Sequence, residues 1–260
     1  GGTTILLGNN AWTGDTIIDI GGTLQLGNGG TIGGISEVTN IIDNGLLSVY
    51  RQDDIRLNGA ISGLGAFSQL GDGITRLNGI NSYKSETWVK AGTLLVNGNQ
   101  SSATGVTNVA SGATLGGKGT IGGNVIFDSN SVLTPGDKGA GTLTINGDLF
   151  LSSTTNSQFE LGQAYTPGGT LNDLVNVGGD LNLDGELNVT VSQGGLFLPG
   201  VYRLFNYNGT LTDNGLELAS LPPGEPDVYY VQTTLPNQVN LVVNFPSDSH
   251  SLRFWDGPDH

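Results

Sequence analysis

No cysteine occurs in the 260 residues, which excludes both a disulfide framework and a thiolate nucleophile. Basic residues are also scarce: 9 Lys and Arg stand against 23 Asp and Glu, for a net charge of -14. A nucleic-acid surface needs clustered cations, and an anionic bilayer repels such a chain, so neither is expected as a partner. No run of 18 apolar residues could cross a membrane as a helix, so direct membrane insertion is not expected either. Gly1-Gly2-Thr3-Thr4 has neither a basic nor an apolar leader region, and the chain is expected to be a fragment cut in mid-pattern. Sustained 3.6-residue periodicity is missing as well, so helices should be few.

What is present is glycine, 44 residues of it, and apolar side chains placed in short alternations such as Thr23-Leu24-Gln25-Leu26 and Leu143-Thr144-Ile145. Alternation with period two buries one face of a strand. Asn-Gly occurs at Asn28, Asn44, Asn58, Asn78, Asn97, Asn146, Asn208 and Asn214. The dipeptide signals a tight hairpin between strands, yet it serves equally at any corner needing positive φ. Local chemistry therefore leaves sandwich and solenoid both open.

Internal repetition favours the solenoid. Residues 3–28 return 71 positions later with one gap, pairing Thr4 with Thr75, Leu6 with Leu77, Trp12 with Tyr83 and Thr16 with Thr87. Gly22-Thr23-Leu24 matches Gly92-Thr93-Leu94. A shorter glycine-led unit recurs at intervals of about 20 residues, a period that belongs to solenoids. The pattern predicts an all-β, right-handed parallel β-helix, with three short strands and glycine corners in each coil. About 12 coils at roughly 4.8 Å would make a rod of roughly 50 to 60 Å.

Composition changes near residue 159. Aromatics gather beyond it, among them Phe197, Tyr202, Phe205, Tyr207, Tyr229 and Tyr230, and residues 139–252 hold a single cation, Arg203. More aromatics allow a thicker core. Residues 1–158 are thus expected to be coils, and 159–245 an aromatic-rich module that closes them with hairpins. Leu221-Pro222-Pro223-Gly224-Glu225-Pro226 reads as a long turn inside that module.

These residues resemble the secreted passenger domains of bacterial autotransporters. The resemblance lies in Gly71-Asp72-Gly73-Ile74-Thr75-Arg76-Leu77-Asn78-Gly79, which leads through Thr87-Trp88-Val89 to Gly92-Thr93-Leu94-Leu95-Val96-Asn97-Gly98. It continues into Gly112-Ala113-Thr114-Leu115-Gly116-Gly117. Residues 159–245 are similar to the autochaperone region of such passengers, through Leu174-Val175-Asn176-Val177-Gly178-Gly179 and Gly200-Val201-Tyr202-Arg203-Leu204-Phe205. Residues 246–260, with Ser251-Leu252-Arg253-Phe254-Trp255, look like the start of a truncated further repeat. The resemblance implies export across the outer membrane to the cell surface or medium, through a C-terminal barrel of the same parent chain. It also implies an adhesin, whose partners would be a host extracellular-matrix protein, a cell-surface receptor or a glycan.

Catalytic signals are weak. The histidines, His250 and His260, lie in the terminal tail, a poor place for the oriented imidazole of a Ser-His-Asp triad. Gly116-Gly117-Lys118-Gly119-Thr120 imitates a phosphate loop but sits among coil repeats, and is expected to turn corners. Asp53 with Asp54, Asp180 with Asp184 and Glu186, and Asp213 with Glu217 are the carboxylate sets that could cleave a polysaccharide or hold calcium. As solvated edge charges they would instead keep strands from pairing with other chains. Trp12 and Tyr83, at equivalent repeat positions, are expected to pack. The reading is therefore a monomeric, non-enzymatic stalk segment with no cofactor, metal or catalytic residue, in which 159–245 nucleates folding. Direct adhesion by the rod surface, and a glycan-cleaving enzyme, are the alternatives.

Overall fold

A computed structural model describes residues 1–12, 14–222 and 229–244. Every element among them is a strand, and the strands stack into three long faces. The ten-stranded first sheet runs β1 (Thr3–Leu6), β3 (Thr23–Gly30), β5 (Leu46–Arg51), β8 (Ala66–Gln69), β10 (Thr87–Val89), β13 (Thr107–Val109), β16 (Val125–Phe127), β19 (Leu149–Phe150), β22 (Leu181–Leu183) and β25 (Leu211–Asp213). The second sheet has eight strands: β6 (Asp54–Leu57), β9 (Ile74–Leu77), β11 (Thr93–Val96), β14 (Thr114–Gly117), β17 (Val132–Pro135), β20 (Asn156–Leu161), β23 (Glu186–Val191) and β26 (Glu217–Ser220). The third has seven: β12 (Asn99–Gln100), β15 (Thr120–Ile121), β18 (Thr142–Ile145), β21 (Leu174–Val177), β24 (Gly200–Tyr207), β28 (Gln238–Val243) and β27 (Tyr229–Gln232). In the first coils a small sheet of β2 (Thr16–Ile18), β4 (Ile41–Asp43) and β7 (Ile61–Ser62) takes the place of the third face.

From β1 to β26 the strands pair parallel with their counterparts one coil away, as the repeat predicts. Leu47 stands beside Phe67, Phe67 beside Thr87 and Thr87 beside Thr107. Such in-register columns turn one buried side chain inward at every coil, apolar at Leu47 and Phe67 and hydroxyl-bearing at Thr87 and Thr107. Leu94, Leu115 and Leu133 fill the second face, and Ile121, Ile145 and Val177 the third, all at most 2% exposed. Alternate residues face water, so a chain of modest hydrophobicity still buries a continuous core.

The expected 12 coils are not reached, since the longest sheet is ten strands deep. The coils do not keep one length. Thr107 pairs with Val125 after a short step, whereas Leu149 waits for Leu181 and Leu181 for Leu211. The extra residues leave the strands as excursions between the second and third faces. They add chain without adding height.

Parallel stacking continues through residue 159, which lies inside β20, and ends at β25 and β26. There the pairing changes sense: β28 runs antiparallel to β24, and β27 antiparallel to β28. This hairpin closes the third face, as expected of the C-terminal module. Aromatic pairs thicken the core beneath it: Phe159 meets Phe205 edge-on at 5.4 Å, and Phe197 stacks between Tyr202 at 4.8 Å and Tyr229 at 6.2 Å. His250, His260, Phe245, the segment 246–260 and most of the proline-rich turn lie outside the described residues.

The Asn-Gly dipeptides are resolved by stacking. Asn97 donates to Asn78 at 3.1 Å, Asn78 to Asn58 at 2.7 Å, and Asn58 to Glu37 at 3.0 Å, so the asparagines form a ladder along one corner. These three mark coil corners, not hairpins. Gly116 and Gly117 end β14, and Thr120 begins β15, so that glycine run turns a corner as expected.

Candidate functional site

The carboxylates singled out in the sequence do not form one cluster. Asp53 is taken by Arg51 at 2.7 Å, and Asp54 pairs with Arg76 and, at 3.8 Å, with Arg56. Asp180 lies at the corner before β22 and accepts the Thr210 N–H at 2.7 Å; Asp184 lies at the next corner and accepts the Gly185 N–H at 2.8 Å. Glu186 opens β23 on the second sheet, in register with Glu217, while Asp213 ends β25 on the first. Leu181, Leu183, Leu187 and Val189 do point inward, with Gly185 bending the chain at φ 91°. Strand parity holds, but the corner divides the acids between faces. Among the described residues no group of three His, Cys, Asp or Glu could hold a metal ion.

Trp12 and Tyr83 make the same bond in their two repeats. The Trp12 Nε1 donates to Thr16 Oγ1 at 2.9 Å, and Tyr83 Oη shares a hydrogen with Thr87 Oγ1 at 2.6 Å. Tyr83 is fully buried with its hydroxyl pushed up to about 12 by desolvation, whereas Trp12 is exposed in the first coil. Trp88, Ile126 and Phe150 occupy one outward row of the first sheet, with Asn108 between the first two.

Sequence reasoning missed an ion cluster that ties distant coils. The loop after β17 carries Asp137 back across β14 and β11 to Arg76 on β9, which donates to it twice, at 2.8 and 3.0 Å. Asn97 adds a third bond to the same carboxylate at 2.8 Å. The bonds from Arg76 hold the Asp137 carboxyl below the usual carboxylate range, and Asp137 in turn raises the guanidinium. A bridge between Gly136 and Gly117 joins this loop to the end of β14.

Two buried aspartates behave in the opposite way. Asp43 has one carboxylate oxygen without a partner and is pushed up to about 6 by desolvation. Asp173 accepts the Gly141 and Glu160 N–H groups, both at 2.7 Å, yet burial still raises it to about 7. Both native values exceed the reference value of 3.8, so the folded chain holds protons that the unfolded chain has released. Stability from these groups is complete below about 3.8 and is lost as pH rises towards 6 for Asp43 and 7 for Asp173. The thermal midpoint should therefore climb as pH falls from 7.5 to 5, with Asp43→Asn flattening the lower part of that slope. A midpoint that drops over this range would contradict the assignment. Asp137 acts with the other sign, and its contribution is lost only as pH falls below its reference value of 3.8.

The third sheet carries an open concavity. Thr144, Asn176, Asn206 and Gln238 stand in register on four adjacent strands, and their polar row floors a groove of about 600 Å3. Asn206 donates to Asn176 at 2.8 Å. At one side Arg203 donates through Nε to Asn240 at 2.7 Å and through Nη1 to Asn206 at 2.5 Å. Burial lowers its guanidinium, and among the described residues no carboxylate pairs with it.

Set beside known proteins, the chain matches the family described as the passenger-associated-transport-repeat over residues 1–26 and 67–96, the two stretches that repeat in the sequence. These repeats place the chain among autotransporter passengers. This passenger segment is similar to the adhesin BmaC autotransporter of Brucella suis biovar 1 (strain 1330), with 50% identity over 214 residues, 81% of the chain and 6% of that protein. It is also similar to an extracellular serine protease of Serratia marcescens, with 32% identity over 123 residues, 43% of the chain and 11% of that protein. The segment thus spans a small part of either relative. Passengers are displayed at the cell surface or secreted across the outer membrane, and this one is a parallel β-helical part of such a domain. The sequence singled out Arg203 only as an isolated cation. Nothing in its spacing marks the amide row, which exists only once the strands are in register.

Proposed function

We propose that this passenger segment is a non-enzymatic rod of a surface adhesin, and that residues 159–245 nucleate the folding of the coils before them. The observation that carries the nucleating role is the change from parallel to antiparallel pairing at β24, β28 and β27. Among the described residues only β27 and β28 pair across a short turn, at 233–237, whereas parallel partners such as Leu149 and Leu181 are separated by a whole coil. Short loops close with less entropy loss and sooner. Once β28 is docked on β24 over Phe159, Phe205 and Tyr202, each earlier coil finds a template edge on which to pair. The adhesive reading is supported by the adhesin named among the relatives. Dispersal of the carboxylates over separate corners favours a scaffold over glycan cleavage.

The nucleating role is tested on the whole chain by kinetics. Phe205→Ala and Leu47→Ala each empty a fully buried site and should destabilise by about 2–5 kcal/mol. If 159–245 is the nucleus, Phe205→Ala slows refolding by about tenfold or more, while Leu47→Ala mainly speeds unfolding. The reverse pattern would remove the proposal.

A further inference from the structure

We infer that the amide-lined groove on the outer face of the third sheet binds a glycan end bearing a single carboxylate, with Arg203 as the carboxylate's partner. The inference rests on the adhesive reading above and names its ligand class. Arg51, Arg56 and Arg76 each take a carboxylate of the chain itself, whereas Arg203 is held by two neutral amides. One of those, Asn240, is 1% exposed and is fixed in turn by a bond to Gln232 at 3.1 Å. The guanidinium is therefore oriented before any ligand arrives. Its Nε–H and one Nη1–H are used, and the remaining N–H groups are left for an acceptor. A planar fork of this kind matches a carboxylate.

The floor selects the rest of the ligand. Asn176, Asn206 and Gln238 offer both donors and acceptors at strand spacing, which suits a ligand dense in hydroxyls. The exposed ring of Pro236 at the rim supplies an apolar surface for a sugar face. A cavity of about 600 Å3 accommodates a small oligosaccharide. Charge sets the upper limit. A chain of net charge -14 repels polyanions such as sulfated glycosaminoglycans, but one carboxylate seated on Arg203 meets the only cation of residues 139–252.

The test titrates the purified chain with 3′-sialyllactose, with a disaccharide ending in glucuronic acid, and with lactose, by saturation-transfer NMR and calorimetry. Saturable binding of one or both acidic sugars is expected, with lactose at least tenfold weaker; which acid binds identifies the source of the carboxylate. Arg203→Gln should weaken binding tenfold or more. Asn176→Trp, which fills the groove from a half-exposed position, should block it even if the Arg203 variant folds poorly. Equal binding of lactose, unchanged affinity in both variants, or no binding of any sugar would overturn the inference. Attachment of chain-coated beads to host cells separates the two readings. Attachment that Arg203→Gln leaves intact sinks the groove and keeps the adhesive rod. Sugar binding without attachment keeps the groove and sinks adhesion by this segment.

Discussion

Gly98→Ala is expected to destabilise the chain by about 3 kcal/mol, the severe end of overpacking, and to lower its thermal midpoint by about 10 °C. Gly59, Gly79, Gly98 and Gly119 stack along the corner beside the asparagine ladder, one above another. A methyl group on Gly98 would stand 2.0 Å from the Gly79 carbonyl oxygen and 2.6 Å from that of Asn78. Those atoms are backbone, and they cannot step aside. Gly98 donates to Leu77 at 2.9 Å and accepts from Thr120 at 3.1 Å, so moving it disturbs the coils on both sides. Gly112 provides the comparison. It has a positive φ of 77° but open space where a side chain would go, so Gly112→Ala meets only backbone strain of about 1 kcal/mol. Equal melting losses for the two variants would show that conformational freedom, not coil spacing, explains the corner glycines.

Arg76→Met should destabilise by about 3 kcal/mol or more, because removing one partner of a buried ion pair strands the other. Asp137, whose side chain is 11% exposed, would keep its charge with only Asn97 to bond it. The loop after β17 would then lose its anchor on β9. Neutralising the stranded group in Arg76→Met/Asp137→Asn should recover most of the loss, a coupling that a double-mutant cycle measures directly. Additive losses in the two single variants would mean that each side chain contributes only packing. In a chain without disulfides, this cluster is a staple between coils that are not neighbours.

Much of the solenoid was legible in the sequence, and each part had a local cause. Leu181, Leu183, Leu187 and Val189 are buried because strand parity and the bend at Gly185 require it. The pairing of Trp12 with Tyr83 reappears as one bond made twice, to Thr16 and to Thr87. Coil number was less legible, since the excursions of the last coils consume residues without a periodic signal. Asp180, Asp184 and Glu186 share a parity but not a face, since corners at Asp184 and Gly185 separate the strands that carry them.

The amino-acid sequence by itself determined the period, the inward residues and the passenger family. All three are written in short-range spacing: alternation along a strand, and the return of the same pattern one coil later. Only the tertiary structure decided which residues meet across coils. Arg76 and Asp137 are 61 positions apart, and Arg203 and Asn240 are 37. Their contacts depend on the summed lengths of several corners and on where the chain turns antiparallel. A repeat specifies the step from one coil to the next, but excursions of unequal length set the register over several steps, and a groove or a staple is built from that register.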